Sequence, residues 1–88
     1  MQRTKILSDV VLTPTTAGTA SSIGSATCVR LYNNDVGVVT VSISTSVGAA
    51  TTFNFSIPSS TVEFLEKIPT DVIYTSSQIQ ANRVAFTN

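Results

Sequence analysis

Between Val36 and Pro58 the chain alternates apolar and polar residues with a period of two. Val39, Val41 and Ile43 interleave with Thr40, Ser42 and Ser44, and Phe53, Phe55 and Ile57 interleave with Asn54 and Ser56. This spacing predicts two half-buried strands, since successive strand side chains point to opposite faces. Valine, isoleucine, threonine and phenylalanine also suit a pleated surface. The small residues Thr45–Ala50, centred on Gly48, predict the link of a hairpin. One face of that hairpin is apolar and the other carries hydroxyls. A lone hairpin is marginal in water, so further strands are required to cover it.

The rest of the chain supplies them. Residues 1–13 form an N-terminal strand or arm. Within it Thr4–Thr13 predicts a strand that is either buried on both faces or bent by a bulge at Ser8-Asp9, and Pro14 ends it. Residues 14–25 predict a long loop that is a crossover between sheets, an arm lying on a neighbour, or a plain surface connection. Residues 26–88 predict the core sheets. Ala26–Asn33 reads as a strand, with Cys28 a small buried hydrophobe. Asn33–Gly37 reads as the turn of a hairpin to the Val39 strand. Thr61–Ile68 predicts a strand with Val62, Phe64, Glu66 and Ile68 on one side, of which Val62, Phe64 and Ile68 need the hairpin's apolar face. A short helix competes there, because Ser60 and Glu63 have capping-box spacing. Val72–Tyr74 and Asn82–Thr87 complete the set, with Val84 and Phe86 directed inward. The expectation is one all-β domain over residues 1–88, a small antiparallel β-sandwich or barrel of about seven short strands.

Composition narrows the function. Apolar residues are 42% of the chain and charged residues 11%, less than half the usual share of about 25%. A weakly charged, hydroxyl-rich surface is cheap to desolvate against neighbours. Five basic residues balance five acidic ones, and no basic run exists. Phosphate neutralisation therefore has little to work with, and no nucleic-acid partner is expected. No apolar run approaches the span of a bilayer, so no membrane partner is expected either. The N-terminal apolar stretch is broken by Ser8 and Asp9, unlike a signal peptide, which suggests a protein made in a cytoplasm.

Candidate chemistry is sparse. Histidine is absent, so Cys28 lacks the base that would activate a nucleophile. Asp35 in the Asn-Asn-Asp turn lacks the further carboxylates of a calcium loop. Gly48-Ala49-Ala50 lacks the lysine and helix of a phosphate loop. Glu63 and Glu66 fall on opposite faces of a strand and cannot act as a carboxylate pair, and Glu66-Lys67 reads as solvated rim charge. No catalytic, metal or cofactor residues are assigned. With all four phenylalanines allotted to the core, Tyr32 and Tyr74 are the remaining aromatics for a carbohydrate-binding module, a weaker alternative.

Three segments, VRLYNNDVGVVTVSI, VEFLEKIPTD and RVAFTN, resemble small virion structural proteins of tailed bacteriophages, especially cyanophages. The resemblance covers roughly residues 26–88. It implies a β-sandwich on the virion, assembled in the host cytoplasm, without catalytic residues. The function expected on that basis is capsid decoration or cementing. The alternative is a tail, neck or baseplate component. The expected partners are the major capsid protein or other virion proteins, with homo-oligomers on the particle. Gln2, Arg3, Lys5, Ile23, Tyr32 and Tyr74 are the candidate partner-contact residues.

Overall fold

The computed structural model describes residues 3–51 and 53–87, the side chains of residues 3, 86 and 87 excepted. Gln2 therefore lies outside the described residues, as do the side chains of Arg3 and Phe86. Eight strands form: β1 (Arg3–Ile6), β2 (Val11–Leu12), β3 (Cys28–Tyr32), β4 (Val39–Ser44), β5 (Phe53–Ile57), β6 (Val62–Glu66), β7 (Val72–Thr75) and β8 (Gln80–Thr87). They make two antiparallel sheets. One runs β1-β8-β3-β6 with β2 also on β8, and the other runs β5-β4-β7. The all-β expectation holds.

The inner faces meet in a single apolar cluster. Val29, Leu31 and Ala81 come from the larger sheet, and Val39, Val41, Ile57 and Ile73 from the smaller. Ile23, Ala26 and Ile79 close the cluster from the connections, and Ile43, Phe55 and Leu65 pack at its margin. The predicted hairpin is present as β4–β5, with Val39 opposite Ile57 and Val41 opposite Phe55. Its burial fades along its length. Val39 and Ile57 are fully buried, whereas Phe53, opposite Ile43, is 70% exposed. The core assignment of Phe53 is thus corrected: the smaller sheet outruns the layer that covers it.

Register corrects a second assignment. β6 pairs with β3, placing Leu65 opposite Val29 and Phe64 opposite Arg30. Directly opposed residues share a face, so Leu65 turns inward and Phe64 outward, the reverse of the expected phase. Phe64 is 44% and Ile68 60% exposed, while Lys67 is only 7% exposed. Lys67 is therefore not rim charge. Its ammonium donates to the Ile68 carbonyl at 3.4 Å, and burial lowers its pKa, with Asp71 opposing. The competing helix is absent, and Ser60 takes φ 58° at the turn before β6. Val84 is buried but stands outside the main cluster, on the face shared with Asn82.

Asn33–Gly37 does not close a hairpin, because β3 and β4 belong to different sheets. None of its residues adopts the positive φ that a two-residue hairpin turn demands. It is an arch organised by Asn33. The Asn33 amide nitrogen donates to the carbonyls of Gly37 (2.9 Å) and Ile57 (2.8 Å), and the Asp35 N–H donates to Asn33 Oδ1 (2.9 Å). The Asn33 backbone exchanges bonds with Thr61 and Ser60. A fully buried amide is thus satisfied on every side.

Residues 14–25 do not cross from one sheet to the other: they join β2 and β3, both of the larger sheet, and reach the smaller sheet only along the edge of β7. The segment leaves β2, makes a 3-10 turn at Ala17–Thr19, pairs Ser21 with Ile73 on the free edge of β7, and returns to β3. It thereby caps one exposed edge of the smaller sheet.

Candidate functional site

The most distinctive surface is the N-terminal edge. The expected single strand is two strands, β1 and β2, laid end to end along the same side of β8. The interruption falls at Ser8-Asp9, where the apolar doublets Ile6-Leu7 and Val10-Val11 break the period of two. Side chains repair the ladder there. Ser8 Oγ accepts the Arg83 N–H at 2.9 Å, and the Asn82 amide donates to the Ser8 carbonyl at 3.1 Å. Leu7 N–H reaches the Arg83 carbonyl at 2.8 Å.

This edge is apolar and open. Ile6, Leu7, Val10, Val11 and Leu12 are 39–56% exposed, so five of seven consecutive residues present hydrocarbon to solvent. The edge is partly guarded, by the shortness of β1 and β2 and by the exposed Lys5, but from Ile6 to Leu12 Asp9 is the one charged residue and no proline falls within the strands.

Beside the edge lies a cleft of about 350 Å³, walled by Val11, Leu12 and Ile23 and flanked by Ser8, Ser21, Gly24 and Arg83. Its floor is an unusual turn. Ile23, Gly24 and Ser25 take φ of 52°, 67° and 58°, closed by Ala26 N–H on the Ser22 carbonyl at 3.2 Å. This is one turn of left-handed helix, which L-residues avoid at a cost of about 1–2 kcal/mol each. A β-branched residue there is a genuine outlier. Ser21 and Ser22 hydroxyls hold the turn by accepting the Ile23 and Ser25 N–H groups. Burial of Ile23 in the core offsets the strain. Ile23 is 5% exposed, which corrects its reading as a partner contact: its side chain anchors the turn from within.

Arg83 clamps the turn from outside. Its guanidinium donates to the Gly24 carbonyl at 3.2 Å and to the Leu7 carbonyl at 3.4 Å, and its Nε is buried without a partner. Among the described residues no carboxylate pairs with it. The sequence reading missed Arg83 because it took Val84 as the inward residue of NRVAFT. Register places Arg83 opposite Val29, on the core side.

The remaining predicted contacts are scattered. Lys5 is exposed on β1. Tyr32 is half-buried, with the Arg30 guanidinium 6.0 Å from its ring centroid. Tyr74 lies in the other sheet, its hydroxyl 2.5 Å from Thr51 Oγ1. The two tyrosines therefore do not form one aromatic platform. Cys28 is half-buried rather than buried, in a depression of about 440 Å³ with Phe64 and Glu66. Burial first, and the Glu66 charge second, push its thiol pKa up, away from a reactive thiolate.

Among the described residues no cluster of three or more histidine, cysteine, aspartate or glutamate side chains could hold a metal ion. Among them, too, no helix is long and apolar enough to cross a membrane. Comparison with known proteins returned no matching family model, no matching curated protein and no matching solved structure.

Proposed function

We propose that this chain is a structural subunit of a tailed-bacteriophage virion, one that decorates and cements the capsid by contact with the major capsid protein or another virion protein. The observation that carries this reading is the open apolar edge from Ile6 to Leu12. An unpaired sheet edge can recruit another chain by backbone pairing, and hydrocarbon beside it adds burial energy. The low charge of the chain suits it to such packing. The resemblance of residues 26–88 to virion proteins supplies the setting. The chemistry is adhesion: apolar burial and strand pairing, with no bond made or broken.

The test is co-sedimentation. Purified particles of the phage that encodes the chain are banded on a density gradient and probed for it, then heated with and without it. The protein is expected in the particle band, and capsids lacking it should release DNA at a lower temperature. Recovery only from the soluble lysate, never with particles, would overturn the proposal. Banding with isolated tails rather than heads would move the subunit to the tail.

A further inference from the structure

We propose that the cleft beside Arg83 receives the carboxyl terminus of a partner protein chain, its aliphatic last residue between Val11 and Ile23 and its carboxylate on the Arg83 guanidinium. The proposal rests on the adhesive reading and deepens it by stating which part of the partner is held. The cleft, about 350 Å³, lies at the small end of the range for ligand sites, which are mostly apolar with a few placed polar groups. Val11, Leu12 and Ile23 supply the hydrocarbon, and Arg83 and Ser21 supply polar groups. Both are donors with capacity to spare. Each terminal nitrogen of Arg83 gives an N–H to a carbonyl, of Gly24 or of Leu7, in a solvent-exposed bond. Each keeps another N–H for a ligand. The Ser21 hydroxyl accepts the Ile23 N–H, and its own proton meets no acceptor among the described residues.

Charge and lining together select the ligand. The carbonyls of Gly24 and Leu7 accept hydrogen bonds but leave the positive charge of Arg83 in place, and no carboxylate among the described residues offsets it. Spare donors beside an unbalanced cation favour an anion. A carboxylate matches the planar fork of a guanidinium. Phosphate fits less well, because Arg83 is the one cation lining the cleft and the apolar walls offer its further oxygens no donor. The same walls call for an aliphatic group attached to the carboxylate. Exposure then favours a chain end over a small free acid. Val11 and Leu12, at the mouth of the cleft, are 42% and 56% exposed. A chain leading into the cleft covers them, whereas a small acid leaves them largely in water.

Amide NMR on the full chain tests the proposal, by titration with a short acetylated alanine peptide ending in leucine as the free acid. The peptide is expected to shift the signals of Val11, Leu12 and residues 21–24 saturably. The same peptide with its C-terminus amidated should bind about tenfold more weakly, because the charged acceptor is lost. R83Q should weaken the free acid by a similar factor. Val11→Glu, at an exposed position on the cleft wall, should do the same by setting a carboxylate against the incoming one. That variant and the acid–amide comparison keep the test sound if R83Q does not fold. Equal affinity of acid and amide would overturn the proposal, as would the absence of saturable shifts at the cleft. Hexanoate or inorganic phosphate binding as tightly as the peptide would overturn it too. Particle binding is read separately by co-sedimentation. Peptide capture without particle binding would sink the virion role and leave the cleft standing, and the reverse would sink the cleft alone.

Discussion

The side-chain amide of Asn33 donates to the backbone carbonyl of Ile57 at 2.8 Å, and that bond joins the end of one sheet to the end of the other. Asn33 is fully buried, and it also ties the arch at Gly37 and Asp35. Replacing it with alanine leaves buried carbonyls without donors. Asn33→Ala is therefore expected to destabilise by about 2–4 kcal/mol, read from the shift of a urea unfolding midpoint. Asn33→Asp should be worse at neutral pH, because it sets a buried carboxylate against two carbonyls. Loss of less than about 0.5 kcal/mol in the alanine variant would show that the arch holds without the amide.

A second polar tie joins Thr13 and Thr75, both fully buried, with hydroxyls 2.6 Å apart. The neighbours fix the direction of the chain of bonds. Ile79 N–H donates to Thr13 Oγ1, and Thr75 Oγ1 donates to the Ser77 carbonyl, so the Thr13 hydroxyl donates to Thr75. Either valine variant orphans a partner. Each single change should cost about 1–3 kcal/mol, and the double variant should cost less than their sum by about 1 kcal/mol. Simple additivity in a double-mutant cycle would contradict this arrangement.

The thiol of Cys28 is pushed above its ordinary pKa by burial and by Glu66. Alkylation by iodoacetamide should therefore be slow at neutral pH, with a pH midpoint above 9.0 that falls on urea unfolding. The sign for stability follows. Below the unfolded pKa both states hold the proton and nothing changes. Above it the unfolded chain loses the proton first, so the folded state loses stability as pH rises toward its own higher pKa. Cys28→Ala should remove that alkaline loss.

Lys67 behaves in the opposite sense. Its pKa is lowered by burial, so below the folded pKa the full penalty of burying the ammonium is present. As pH rises from there to the ordinary lysine value of 10.5, the folded chain sheds the proton first and gains stability. Lys67→Met keeps the stem and removes the charge. It should be neutral or stabilising at pH 7, and its advantage over wild type should shrink as pH rises through that window. A clear loss of stability in Lys67→Met at pH 7 would mean that the charge is paired after all.

Phe53 and Leu31 separate exposed from buried hydrocarbon. Leu31 is fully buried and Phe53 is 70% exposed. Leu31→Ala should cost about 2–5 kcal/mol, whereas Phe53→Ser should fall within about 0.5 kcal/mol of wild type, by thermal or urea unfolding. A large loss from Phe53→Ser would indicate that something covers it.

Much of this fold was legible residue by residue. The period of two in Val39–Ile43 and Phe53–Ile57 marked the β4–β5 pair, and the doublets around Ser8-Asp9 marked the break between β1 and β2. Periodicity reports that one side of a strand differs from the other, and turn residues report where the chain bends, because both are local properties of the backbone. They do not report which sheet a strand joins. The Asn33 turn looked like a hairpin because its composition is the same for an arch. Only the placement of its amide against Ile57 decides between them.

The site was less legible for the same reason. Val62, Phe64 and Ile68 are the greasier face of their strand, yet pairing of Leu65 with Val29 turns the other face inward. Arg83 acquires its meaning from Gly24 and Leu7, which are distant in the chain. Sequence alone determined that this protein is a small β domain with little charge, since those follow from residue identity and nearest neighbours. Tertiary structure alone decided which hydrocarbon stays in water and which carbonyls the Arg83 guanidinium reaches, since register and layer packing are set by residues that meet only after folding.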